Sequence, residues 1–208
     1  IIREELSDLR KTLKSERKTK IVAAEGEFNM EDLIADEQMV ITISNDDYIK
    51  RMPIDTFREQ RRGGHGIVGM EMKKDADILK NIYVASTHEM LMLFTNLGRC
   101  YWMKVWQIPE ANRRSKGRPL INLLEDLQEN ERVAAVLRVR NFEEEACILL
   151  ATQRGVVKKT ILSEFSNPRR KGVYALNIDK DDELIAARMT HPGEHVMLFT
   201  RNGMAVRF

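Results

Sequence analysis

Four stretches of this 208-residue chain align without a gap: MVITISNDDYIKR from residue 39, MLMLFTNLGRCYW from 90, CILLATQRGVVKK from 147 and HVMLFTRNGMAVR from 195. Each reads as an apolar strand, a Ser or Thr, a short polar turn and a second strand. The strand-ending residues Ser44, Thr95, Thr152 and Thr200 are 51, 57 and 48 residues apart, and the turn positions Asp47, Gly98, Gly155 and Gly203 keep those intervals. Glycine supplies a positive φ at no steric cost, and aspartate tolerates it better than most residues, so each stretch is expected to be a β-hairpin. A supersecondary unit repeated at about 50 residues cannot bury its own apolar face and must stack on its neighbours.

The rest of each unit recurs as well. A basic, glycine-containing loop (QRRGGHG at 60, RRSKGRP at 113, PRRKG at 168) leads into an apolar stretch (IVGMEM, LINLL, VYALNI). An acidic turn follows, and then a closing strand: ILKNIYVAST, RVAAVLRV or ELIAARMT. Counting the apolar stretch as a strand gives four strands per unit, the content of one propeller blade. The expected fold is therefore mainly β, a propeller of four-stranded repeats with about three blades and part of a fourth, after an N-terminal helix. Residue 208 falls within the fourth hairpin, so the chain is read as part of a longer one. Residues 1–26 are expected to form a helix and linker, and 27–208 the partial propeller. The helix is marked by Ile2, Leu6, Leu9 and Leu13 at steps of four, three and four, with basic residues crowding its second half.

Hydrophobic residues make up 43% of the chain, enough for a sizeable core. No apolar run reaches the roughly 18 residues of a membrane span, and IIREELSDLR lacks the apolar region of a signal peptide. The two cysteines, Cys100 and Cys147, form no CxxC and are expected to be thiols in a reducing compartment.

Gly64-His65-Gly66-Ile67-Val68-Gly69 matches the G-x-G-x-x-G pattern literally. A dinucleotide fingerprint needs a strand before it and a helix after it. This one follows Arg61-Arg62 inside a β repeat, so nucleotide binding is rejected, and there is no P-loop. His191 and His195 flank HPGEH, where Pro192-Gly193 makes a loop, so no metal site is expected. No nucleophile–base arrangement stands out, and no catalytic residue is assigned.

Charge is the functional signal. The net charge is only +2, yet ten cations sit in the three basic loops: Arg58, Arg61, Arg62, Arg113, Arg114, Lys116, Arg118, Arg169, Arg170 and Lys171. Without them 24 basic residues face 32 acidic ones. Equivalent loops of stacked repeats fall on one face or rim, which would make a positive track for nucleic acid. Lys158, Lys159 and Arg207, on the second hairpin strands, are expected to extend it. Arginine with glycine suits phosphate contact and bent DNA more than base reading. The rival from the residues alone is a protein-interaction propeller that docks acidic partners.

The segment QRRGGHG at 60–66 resembles the gyrase A box, usually Q-R-R-G-G-K-G. VASTHEMLMLFTNLGRCYWMKVWQIPEA, GVVKKTILSEF and VMLFTRNGMAVRF likewise resemble the C-terminal domains of DNA gyrase A subunits. That resemblance implies a β-pinwheel, a propeller variant whose blades exchange strands, that wraps double-stranded DNA in a positive sense around its basic rim. It implies that the box, here Gln60, Arg61, Arg62, Gly63, Gly64, His65 and Gly66, is the key to wrapping. His65 stands where Lys is usual, and an imidazole can still donate a hydrogen bond to phosphate. It further implies a dimer of gyrase A chains joined with two gyrase B chains in an A2B2 topoisomerase of the bacterial cytoplasm and nucleoid. ATP and Mg would be used on other domains, and this chain would need no cofactor. The topoisomerase IV counterparts, with a lost or degenerate box, are the alternative.

Overall fold

The computed structural model describes residues 2–13, 19, 30–56, 78–143 and 145–208. They fall into two compact units, 1–33 and 34–208. In the first, helix α1 (Ile2–Thr12) carries Glu4 and Glu5 in its first turn and Arg10 and Lys11 in its last, the polarity that its dipole favours. Its apolar stripe, Ile2, Leu6 and Leu9, is exposed. The basic residues Lys14, Arg17, Lys18 and Lys20 lie outside the described residues. A 3-10 turn spans Met30–Leu33.

The second unit is built from the four hairpins. Strands β1 (Gln38–Ser44) and β2 (Tyr48–Pro53) form the first, β4 (Met90–Thr95) and β5 (Arg99–Lys104) the second, β8 (Cys147–Thr152) and β9 (Val157–Ile161) the third, and β12 (Met197–Phe199) and β13 (Ala205–Arg207) the fourth. Their registers coincide: Ile43 faces Ile49, Phe94 faces Cys100, Ala151 faces Val157 and Phe199 faces Ala205. Asp47, Gly98, Gly155 and Gly203 all have positive φ, as the turn spacing requires.

The recurring Ser or Thr has a physical reason. Its hydroxyl accepts the backbone N–H four residues on, at 3.1 Å from Tyr48 to Ser44, 3.2 Å from Arg99 to Thr95, 3.0 Å from Val156 to Thr152 and 3.1 Å from Met204 to Thr200. The turn is thus closed by a side chain where the ladder ends.

The closing strands, β3 (Leu79–Ser86), β7 (Val133–Val139) and β11 (Leu184–Thr190), pair antiparallel with β1, β4 and β8. Each pairing shifts register beside the Ser or Thr. The expectation that LINLL and VYALNI are strands within their own blades is corrected. Leu120–Asn122 is a 3-10 turn, and the strands are the dipeptides ahead of or within these stretches, β6 (Arg118–Pro119) and β10 (Val173–Tyr174). Both join the preceding repeat, giving sheet orders β3-β1-β2-β6 and β10-β5-β4-β7. The apolar residues after each dipeptide, Leu120, Leu124, Ala175 and Leu176, are buried in the core. This exchange is the one that the pinwheel resemblance implies.

The run MLMLF in β4 is apolar at every position because its sheet is buried on both faces. Leu91, Leu93, Tyr101 and Met103 pack with Ile41, Ile43 and Ile49 of the first sheet. Met92, Phe94 and Cys100 pack with Ile148 and Leu150 of the third and with Leu162, just after β9. Alternation along one strand therefore fills two inter-blade cores.

Candidate nucleic-acid interface

Of the three basic loops, two are described. The box residues Gln60, Arg61, Arg62, Gly63, Gly64, His65 and Gly66, with Arg58, lie outside the described residues.

The loop of the second repeat, 109–118, is carried by the first blade. Ile49 pairs with Arg118 in β6. The Arg51 backbone donates to the Pro109 carbonyl at 3.1 Å and accepts from the Ala111 N–H at 3.1 Å, while its Nε donates to the Ile108 carbonyl at 2.7 Å. Lys50 is fully buried, and its Nζ donates to the carbonyls of Asn112 at 3.1 Å, Arg113 at 2.7 Å and Ser115 at 2.8 Å. All three ammonium protons are thereby used. Desolvation pulls the Lys50 pKa below the ordinary lysine value. Gly117, at φ +89°, lies so close to β2 that a Cβ there would come 2.5 Å from the Ile49 carbonyl oxygen. Only glycine fits.

The loop of the third repeat is carried in the same way by the second blade. Cys100, the counterpart of Ile49, pairs with Val173 in β10. Gly172, at φ +70°, would place a Cβ 2.9 Å from the Cys100 carbonyl oxygen. Here the holding cation is Arg99. Its guanidinium donates to the carbonyls of Asp126 at 2.9 Å and of Lys171, and to Glu131 Oε2 at 3.0 Å, and it lies 4.9 Å from the Tyr101 ring centroid. Tyr101 occupies the place of Lys50, and Tyr48 that of Arg99. Cation and aromatic have exchanged positions on one face of equivalent strands.

With carbonyls turned inward, the loop side chains point out. Arg113, Arg114, Lys116, Arg118, Arg169, Arg170 and Lys171 are all exposed. The two lysines lean back on the preceding turns: Lys116 lies 4.2 Å from the Tyr48 ring centroid and 3.7 Å from Asp46, and Lys171 lies 3.3 Å from Asp126. The five arginines make no ion pair to another described residue. An open groove of about 550 Å³ runs between Pro53 and Thr56 on one side and Glu110, Arg113 and Arg114 on the other. A second groove, of about 520 Å³, is lined by Lys158, Arg169 and Tyr174. Lys158 and Lys159 are exposed on β9, and the Lys158 Nζ donates to the Ala175 carbonyl at 2.8 Å.

Sequence reasoning singled out the loop arginines, which are exposed, but not Lys50 and Arg99, which lie beneath the loops. The signal was present in the alignment, as a charge at an inward strand position, yet it moved by two residues between repeats. Cys100 and Cys147 are both free thiols, and burial pushes the Cys100 thiol up. His191 Nδ1 lies 3.6 Å from Glu194 Oε1, an exposed local contact. Among the described residues no three His, Cys, Asp or Glu side chains converge as a metal site would require.

The family "DNA gyrase C-terminal domain, beta-propeller" matches residues 38–86, 89–140, 148–191 and 194–208, one segment per hairpin. The DNA gyrase A chain of Chlamydia muridarum is 57% identical over the whole of this chain, and that of Haemophilus influenzae is 44% identical; the chain spans 25% and 23% of their lengths. Among solved structures, the C-terminal domain of DNA topoisomerase IV superimposes with TM-score 0.69 at 25% identity, covering 84% of this chain and 52% of that one. A DNA gyrase A C-terminal domain superimposes with TM-score 0.62 at 21% identity, covering 82% and 54%. A repeat that matches the family blade by blade, with strands exchanged between blades, shows that the chain belongs to the DNA gyrase C-terminal β-propeller family.

Proposed function

We propose that this chain is the DNA-wrapping part of a gyrase A protein and that it binds double-stranded DNA through phosphate contacts along its basic loops. The observation that carries this reading is the shared construction of the two described loops. Each enters the preceding blade at the same register, each leans a positive-φ glycine on an equivalent carbonyl, and each exposes paired arginines. Phosphate-directed arginines repeated at blade spacing bend a duplex without reading its bases. The box residues Gln60 to Gly66 would add a third loop of the same kind. His65-Gly66 aligns with Lys116-Gly117 and Lys171-Gly172, so His65 takes the place of the loop lysine. Lys158 and Lys159 would contribute beside the second groove.

In the parent assembly, the domain would present wrapped DNA to a gate on other domains of an A2B2 complex in the bacterial cytoplasm. Strand passage there would be driven by ATP with Mg. This chain would itself catalyse nothing. Among the described residues no helix is long and apolar enough to cross a membrane.

The test is topological. Relaxed circular DNA is incubated with the chain, closed by a separate nicking-closing enzyme, stripped of protein and read for linking number. A positive shift is expected. Tight, salt-sensitive binding with no shift would remove the chiral wrap and leave a DNA-holding domain. Binding to acidic protein in preference to DNA would favour the interaction propeller.

A further inference from the structure

We infer that Lys50 is a positioning residue for DNA binding: from inside the first blade its ammonium holds the Asn112–Ser115 backbone, so that the arginines of that loop face outward. The inference rests on the DNA-binding reading above. Lysine is rarely buried completely, because taking an ammonium out of water is costly unless every proton finds an acceptor. Lys50 meets that condition with three carbonyls of one short segment, 62 to 65 residues away in sequence. The three oxygens converge on one point, which fixes the loop as a cup with its concave side on the blade. The side chains of Arg113, Arg114 and Lys116 are left on the convex side, in solvent.

Two independent features support a positioning role. The strand under the loop already holds its ends through Arg51 and β6, so Lys50 is not needed to attach the loop. It orders the middle, where the charged side chains branch. The same device recurs one blade on with different chemistry, where Arg99 donates to the carbonyl of Lys171 within the loop of the third repeat. A cation beneath each of the two described loops, supplied by different strand positions, is what a requirement on the loop rather than on the strand would produce. Lys158 stands at the place of Lys50 in the third hairpin, where its ammonium reaches the Ala175 carbonyl.

The experiment is a double-mutant cycle on the 208-residue chain, read as the salt dependence of binding to a duplex of random sequence. Lys50→Met keeps the unbranched stem and removes the donors. The expected result is a fold that still melts cooperatively with a salt slope lower by about 2 to 3, because each lost phosphate contact removes about 0.9. In a background with Arg113, Arg114, Lys116 and Arg118 all changed to Ala, Lys50→Met is expected to change the slope no further. An unchanged slope in the folded Lys50→Met protein would overturn the inference. So would an equal drop in both backgrounds, because that signals general loosening of the rim. If Lys50→Met does not fold, Lys50→Gln is measured in the same cycle. Two N–H donors remain there, so an intermediate slope is expected, and a wild-type slope would overturn the inference. Wild-type binding without salt dependence would instead sink the DNA reading, and this inference with it.

Discussion

Thr95 Oγ1 lies 2.7 Å from Glu131 Oε1 and donates to it, while accepting the Arg99 N–H at 3.2 Å. One hydroxyl thus joins the hairpin turn of the second blade to the acidic turn ahead of its closing strand. Thr95→Val keeps the shape and strands both partners in a buried site. The expected loss is about 1 to 3 kcal/mol in equilibrium urea unfolding. Thr200→Val, at the same place in the exposed fourth hairpin, is expected to cost no more than about 0.5 kcal/mol. Equal losses would show that the hydroxyl acts within its own turn alone.

The loop glycines separate backbone strain from crowding. Gly155 has φ +89° with nothing within 4 Å of a Cβ placed there. Gly155→Ala should therefore cost only the left-handed strain of about 1 to 2 kcal/mol. Gly117→Ala adds a clash with the Ile49 carbonyl oxygen, so it should cost more and detach β6 from β2. Hydrogen exchange of the Leu120 amide, which donates to the Asp47 carbonyl at 2.8 Å, would report the detachment.

Asp47 gives a pH signature. Burial raises its carboxyl pKa above the usual 3.8, against the pull of Lys80, the Val133 N–H and Arg132. One carboxylate oxygen is buried with no hydrogen-bond partner. At pH 7 the group is charged in both the folded and unfolded states, and the folded state bears the desolvation cost. That cost is relieved as pH falls through the folded pKa, and below the unfolded pKa it is gone. Asp47→Asn tolerates the positive φ and keeps an acceptor for Val133, so it is expected to melt higher than wild type at pH 7. The advantage should vanish by about pH 3, and a pH-independent difference would contradict the burial argument.

Asp182 should move the other way. Burial raises its carboxyl pKa, but hydrogen bonds from the Thr152 hydroxyl and the Arg154 and Glu183 N–H groups outweigh this and hold it below 3.8. Its contribution is complete above the unfolded pKa and is lost as pH falls through the folded one. Asp182→Asn is expected to flatten that part of the acid-unfolding curve, measured by circular dichroism.

The exposed arginines should act as independent phosphate contacts. Changing Arg113 and Arg114 to Ala, or Arg169 and Arg170 to Ala, should each lower the salt slope of DNA binding by about 1.8, and the two effects should add. Lys116→Ala should change it less, because that ammonium is held by the Tyr48 ring and Asp46. A larger effect from Lys116 than from the arginine pairs would mean that the ion pair opens on binding.

Local pattern was enough for the hairpins and their turns. A continuous apolar run, a hydroxyl before each turn and a positive-φ residue within it are short-range requirements that every repeat must meet separately, so they recur where a gapless alignment finds them. The loop charges were equally legible, because exposed arginines need no partner to be recognised. Tertiary structure decided what local pattern cannot encode. Arg118–Pro119 and Val173–Tyr174 are strands only because the preceding blade offers a free edge, and two residues carry no period of their own. Nothing in the sequence around Lys50 sets it apart, and it becomes a buried anchor because a loop more than 60 residues away brings three carbonyls to its ammonium. The free energy of such a contact belongs to the pair, and either segment alone carries no trace of it.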